Sequence, residues 1–132
     1  MKKYFLVVFF ALLTTLSFAQ TKTAWKELDD FHAIVAPVFH TAEKGNYNAA
    51  KDSATLVLKR AELWQAAPIP ATLDAAVFKP LIDRLVLECK AINVTVSVRK
   101  PDDELKLVLR KAHNTFHEIL SKYNQSVNKT KS

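Results

Sequence analysis

The chain has 132 residues, with 19 Lys and Arg against 13 Asp and Glu, a net charge of +6 and one cysteine. That length fits one domain of ordinary size with a core of its own, and the lone Cys89 rules out an internal disulfide. The basic side chains are scattered, with no basic stripe interleaved with aromatics, so no nucleic-acid partner is expected.

Met1 to Ala19 has the three parts of a secretory signal peptide. Lys2 and Lys3 supply the charge, Tyr4 to Leu13 the apolar run, and Ser17-Phe18-Ala19 the small residues at −3 and −1 of a cut before Gln20. The run is shorter than the about 20 residues of a comfortable membrane span; an uncleaved N-terminal anchor is the competing reading. Cleavage leaves 113 residues, Gln20 to Ser132, carrying 17 basic and 13 acidic side chains for a net charge of +4. The expected location is the bacterial periplasm or the exterior, with no stable membrane insertion of the mature chain.

One Gly and five Pro punctuate the rest. A first helix is predicted from about Thr23 to Lys44. Trp25, Leu28, His32, Val35, Phe39 and Ala42 recur along it at 3, 4, 3, 4, 3. Pro37 should kink this helix near Ala33, because it lacks a backbone donor and crowds the preceding turn. Gly45 is positioned to end it. A second helix follows from Tyr47 to Ala66, with Asn46 as N-cap and Ala50, Ala54, Val57, Ala61 and Trp64 facing inward. Pro68-Ile69-Pro70 breaks it.

The third helix is expected from the N-cap Thr72 to Val98, with Phe78, Leu81, Leu85, Cys89, Ile92 and Val96 facing in. Pro80 implies a kink or a start one turn later. Ile92 to Val98 alternates β-branched and polar residues as a strand does, but a lone strand would leave its backbone unpaired, so helix is the reading adopted. Cys89 then reads as a small buried hydrophobe. Pro101-Asp102-Asp103-Glu104 opens a fourth helix with Leu105, Leu109, His113, Phe116, Leu120 and Tyr123 along one side. It is expected to end near Asn124, leaving a disordered polar tail over 125–132. Four such helices with short connections predict an all-α, antiparallel up-down-up-down four-helix bundle over residues 20–124.

All four histidines lie on the first and last of these helices. Antiparallel neighbours that begin near Ala24 and end near Asn124 bring residues level when their numbers sum to about 148. His32 then lies beside His117, and His113 stands about 6 Å further along the fourth helix. His113 and His117, four residues apart, project from one face and can hold a single ion. The predicted metal set is therefore His32, His113 and His117, with His40 as an extra or outer ligand, for an ion of the copper or zinc class. Asp29, Glu43 and Glu118 are candidates to orient the imidazoles. No nucleophile with a base, phosphate loop or paired acids appears, and the His-Glu-x-x-His of helical zinc hydrolases is absent, so no enzymatic activity is expected.

The stretch Leu109-Arg110-Lys111-Ala112-His113-Asn114-Thr115-Phe116-His117, the turn Glu43-Lys44-Gly45 leading to Asn48-Ala49-Ala50-Lys51-Asp52, and the break Ala67-Pro68-Ile69-Pro70 together resemble the soluble periplasmic b-type cytochromes of the four-helix-bundle class. The resemblance implies a haem-binding electron carrier with His117 as axial ligand. That family takes its second ligand from a methionine early in the first helix, whereas the sole methionine here is Met1. His32 stands within about one residue of that place, so the cofactor-binding pair would be His32 and His117, with the lower reduction potential typical of two imidazoles. His40 and His113 have no counterpart in that scheme, which favours a metal ion over haem. Three readings are thus open: an exported metal-binding bundle, a b-type haem carrier for electron transfer, and a cofactor-free envelope protein with an interaction or structural role and an unknown protein partner.

Overall fold

The computed structural model describes residues 25–132; the expected signal peptide and the start of the first helix before Trp25 lie outside them. Four helices follow in order: α1 Lys26–Glu43, α2 Asn48–Ala66, α3 Ala75–Ser97 and α4 Asp102–Thr130. Each packs against its neighbours in sequence, and α4 closes the ring against α1, while the diagonal pairs make no contact. This is the expected all-α, up-down-up-down four-helix bundle. The backbones approach least closely between α1 and α4.

The helix ends show why the chain folds where it does. Lys44, Gly45 and Asn46 close α1 as a Schellman motif: the Gly45 N–H donates to the Ala42 carbonyl at 2.9 Å and the Asn46 N–H to Thr41 at 3.0 Å. Gly45 takes φ +84° there, a conformation that costs a side-chain-bearing residue more. The end of α3 repeats the motif, with Arg99 donating to Val96 at 3.1 Å and Lys100 to Thr95 at 3.0 Å. The left-handed position is filled by Arg99 at φ 55°.

The N-termini differ in detail from expectation. The Asn46 side chain accepts from the Asn48 N–H at 3.0 Å, one residue outside the formal N-cap Tyr47. In α3 the cap is Asp74, accepting from the Ala76 N–H at 2.9 Å, and not Thr72. Asp74 wins because it stands directly before the first helical turn, where a carboxylate also meets the positive end of the dipole. Since α3 begins at Ala75, Pro80 lies inside the helix and does not start it. The α1 helix runs unbroken through Pro37, whose carbonyl accepts from Thr41 Oγ1 at 2.8 Å.

The core is continuous through all four helices. The α2 positions Ala50, Ala54, Val57, Ala61 and Trp64 are all buried, as are Phe78, Leu85, Cys89 and Ile92 of α3. Trp25 and Trp64 meet edge to face at 5.2 Å, and Trp25 meets Phe78 at 5.3 Å in the same manner. The inward face of α1 differs from the expected seam by one residue: Phe31 and Val38 are buried and His32 is exposed. Both faces satisfy a 3–4 spacing, and the phenyl ring takes the interior place because its transfer from water is more favourable than that of an imidazole.

The α4 helix is longer than expected, continuing through Gln125–Thr130 where a disordered tail was foreseen. Ser126 Oγ donates to the Lys122 carbonyl at 2.9 Å and Thr130 Oγ1 to that of Ser126 at 3.0 Å. These bonds stay within the helix, so polar composition there does not oppose helicity. Among the described residues no helix is long and apolar enough to cross a membrane.

Candidate functional site

The α1–α4 register matches the sequence reading. Phe31 faces Phe116 at 5.5 Å, His32 stacks on Phe116 at 5.4 Å, and Trp25 meets Tyr123 at 5.9 Å, pairs whose numbers sum close to 148. The rings nevertheless separate into two groups because Phe31, and not His32, takes the interior place on α1.

His113 and His117, one turn apart on α4, turn their Nε2 atoms toward each other at 2.8 Å, with ring centroids 4.3 Å apart. His113 packs against Phe39 of α1 at 4.8 Å, and its Nδ1 lies 3.5 Å from Glu43 Oε1 at the end of α1. Its side chain is 25% exposed, while Glu43 is more open to solvent. Burial holds the His113 pKa below the usual histidine value, the neighbouring His117 adds to this, and Glu43 acts in the opposite sense.

The other two histidines stand apart from this pair. His32 is exposed, lies flat on Phe116 and borders a groove of about 540 Å³ that also involves Trp25, Leu73, Tyr123 and Val127. His40 is exposed in the last turn of α1, where a cation complements the helix dipole. Among the described residues no group of three or more His, Cys, Asp or Glu side chains is placed to hold a metal ion. The expected convergence of His32, His113 and His117, with His40 beside them, is thus reduced to His113 and His117. His32 left the set when Phe31 took the interior position.

Of the carboxylates expected to orient imidazoles, Glu43 does face one. Glu118 instead pairs with Arg84 across α3 and α4, and Asp29 lines the 540 Å³ groove. Arg84 Nε also donates to Thr115 Oγ1 at 3.2 Å, and the Thr115 hydroxyl donates to Glu88 at 2.7 Å. A second cavity, about 470 Å³, opens beside His113 and is lined by Phe39, Tyr47, Lys106 and Arg110 among others. His117 borders neither cavity. Sequence spacing identified the His113–His117 pair, but not that its inner ring would lie against Phe39. In the pairing scheme His113 is level with about Val35, one turn before Phe39, so the spacing did not single out this contact.

Comparison with protein-family models, with curated proteins and with solved structures found no match to this chain.

Proposed function

We propose that this chain is an exported helical bundle that binds a divalent transition-metal ion, of the copper or zinc class, through His113 and His117. The observation that carries the reading is the 2.8 Å separation of the two Nε2 atoms. Two nitrogens each about 2.0 Å from one metal stand about 2.8 Å apart at a right angle and about 3.3 Å apart at a tetrahedral one. The pair therefore has the bite of a chelate, nearest to the tetragonal geometry that copper(II) prefers. Glu43, 3.5 Å from Nδ1 of His113, adds support, since a carboxylate that closed to hydrogen-bonding distance there would favour the tautomer that leaves Nε2 free. Two imidazoles leave further coordination positions for water or another ligand, which suits buffering or delivery of an ion better than permanent sequestration.

The test is calorimetric titration of residues 20–132 with copper(II) and with zinc(II). One equivalent should bind, with a rise in melting temperature. Binding should be lost in His113→Ala and in His117→Ala and kept in His32→Ala and His40→Ala. Retention in both α4 variants would end the proposal.

The haem reading finds less support, because His32 borders one groove while His117 turns to His113 and borders neither cavity. A Soret band on adding haem, abolished by His117→Ala, would reinstate a b-type electron carrier. Response to neither metal nor haem would leave an envelope protein of interaction or structural role, its histidines serving only in packing.

A further inference from the structure

The cavity of about 470 Å³ beside His113 combines an apolar floor with two unpaired cations. Its position follows from the α1–α4 register, which sets Phe39 level with Leu109 and Ala42 level with Lys106. Phe39 and Leu109 are buried and form the floor. Ala42, in the last turn of α1, offers only a methyl group where a larger side chain would reach α4. The chain then turns at Gly45 and brings the partly buried Tyr47 to the wall of the same cavity.

Lys106 and Arg110 line the cavity from α4. Four residues apart, they share one helix face, about 6 Å from each other along the axis. Both are exposed, and neither makes an ion pair among the described residues. Glu43 is the one carboxylate on the wall, and it faces Nδ1 of His113. His113 stays neutral near pH 7, since burial holds its pKa below the ordinary histidine value. Two cations against one carboxylate leave the cavity with an excess of one positive charge. Asn114 adds an amide that can donate a further hydrogen bond.

We propose that this cavity binds a small aromatic monocarboxylate, its ring on Phe39 and Leu109 and its carboxylate between Lys106 and Arg110. A single negative charge matches the excess, whereas a phosphate group carries more charge than the site offsets and leaves the apolar floor uncovered. Arg110 can engage both carboxylate oxygens through its guanidinium. The rings of Phe39, Tyr47 and His113 suit a flat aromatic body. The volume lies within the roughly 300–1,000 Å³ of small-ligand pockets. The inference does not rest on the metal site: the two share His113, but His117 borders neither cavity.

The core of residues 25–132 is closed among its own four helices, so residues 20–132, free of metal, serve for the test. Titration with phenylacetate, followed by amide chemical shifts in nuclear magnetic resonance, should saturate with a dissociation constant of about 1 mM or tighter. The shifts should centre on Phe39, Tyr47, Leu109 and Asn114. Uncharged phenylacetamide, and acetate, which lacks the ring, should each bind at least about tenfold more weakly. Lys106→Gln combined with Arg110→Gln, at exposed positions that leave the core intact, should weaken phenylacetate binding at least about tenfold. Ala42→Leu should do the same by filling the space, with both cations in place and no loss of melting temperature. His117→Ala should keep carboxylate binding while losing the metal, so failure of either reading leaves the other standing. No saturation by about 20 mM, equal binding of the amide, acetate or inorganic phosphate, shifts centred on the groove beside His32, or full affinity in the double variant or in Ala42→Leu would overturn the proposal.

Discussion

Gly45 and Arg99 occupy the same position of the same backbone motif, one at the end of α1 and the other at the end of α3. Space does not distinguish them, for a Cβ placed on Gly45 would meet nothing within 4 Å. Backbone conformation does, since the left-handed region costs an L-residue about 1 kcal/mol. Gly45→Ala should therefore destabilise the bundle by about 1 kcal/mol, and Arg99→Gly should stabilise it by up to about 1 kcal/mol; urea midpoints measure both. At the same scale, the depressed His113 pKa sets a direction for metal binding. A ring whose folded pKa lies below 6.5 stays neutral, and able to ligate, to a lower pH than an ordinary imidazole. Its site should hold metal at pH 7 and lose it as pH falls through the lowered pKa of His113. Copper affinity measured across pH 5–8 checks this; a flat profile contradicts imidazole ligation.

For single elements, sequence periodicity is most reliable where one residue type dominates each face. In α2, alanines alternate with charged residues, and every residue expected in the core is buried. In α1, Phe31 and His32 sit side by side, and a 3–4 seam can be drawn through either. Choosing the imidazole left Trp25, Leu28, Val35 and Phe39 correctly placed in the core but turned His32 inward, where Phe31 stands, and so added it to the His113–His117 pair. The length of α4 was underestimated for a different reason: Gln, Asn, Ser and Thr signal a tail by composition, although nothing in that stretch breaks a helix. The Arg84–Thr115–Glu88–Glu118 network joining α3 to α4 was not visible beforehand, because it depends on side-chain rotamers and on a register between two helices. Thr115 is 4% exposed and its hydroxyl both donates and accepts. Thr115→Val keeps the shape and removes both bonds, so it should cost about 1–2 kcal/mol, read from the urea midpoint. Glu118→Ala, at an exposed ion pair, should cost less than about 1 kcal/mol.

For the molecule as a whole, the connectivity was legible because short links set consecutive amphipathic helices side by side and antiparallel, and the α1–α4 register followed from it. The chemistry was legible only in part. Matching levels along two rods is a one-dimensional argument, and a site also needs the right rotation of each rod. The remaining pair rests on the seam where backbones approach least closely, which leaves room for the imidazoles of α4 and the carboxylate of α1. An ion held by His113 and His117, with Glu43 behind, would tie α4 to α1 only weakly, since Glu43 touches one ring and at 3.5 Å. Metal-linked stabilisation should accordingly come mainly from the two rings of α4, and Glu43→Ala should lower copper affinity modestly, by less than the loss of either ring.

Cys89 is fully enclosed, and burial together with Glu88 pushes its thiol up to about 12. Near neutral pH the sulfur therefore has neither the ionisation nor the access that a disulfide reagent requires. Its modification must wait until α3 leaves its neighbours, so the rate at which a dithiobenzoate reagent labels this chain counts openings of the bundle. A single natural side chain thus acts as a clock, against which each substitution above can be timed without adding a probe.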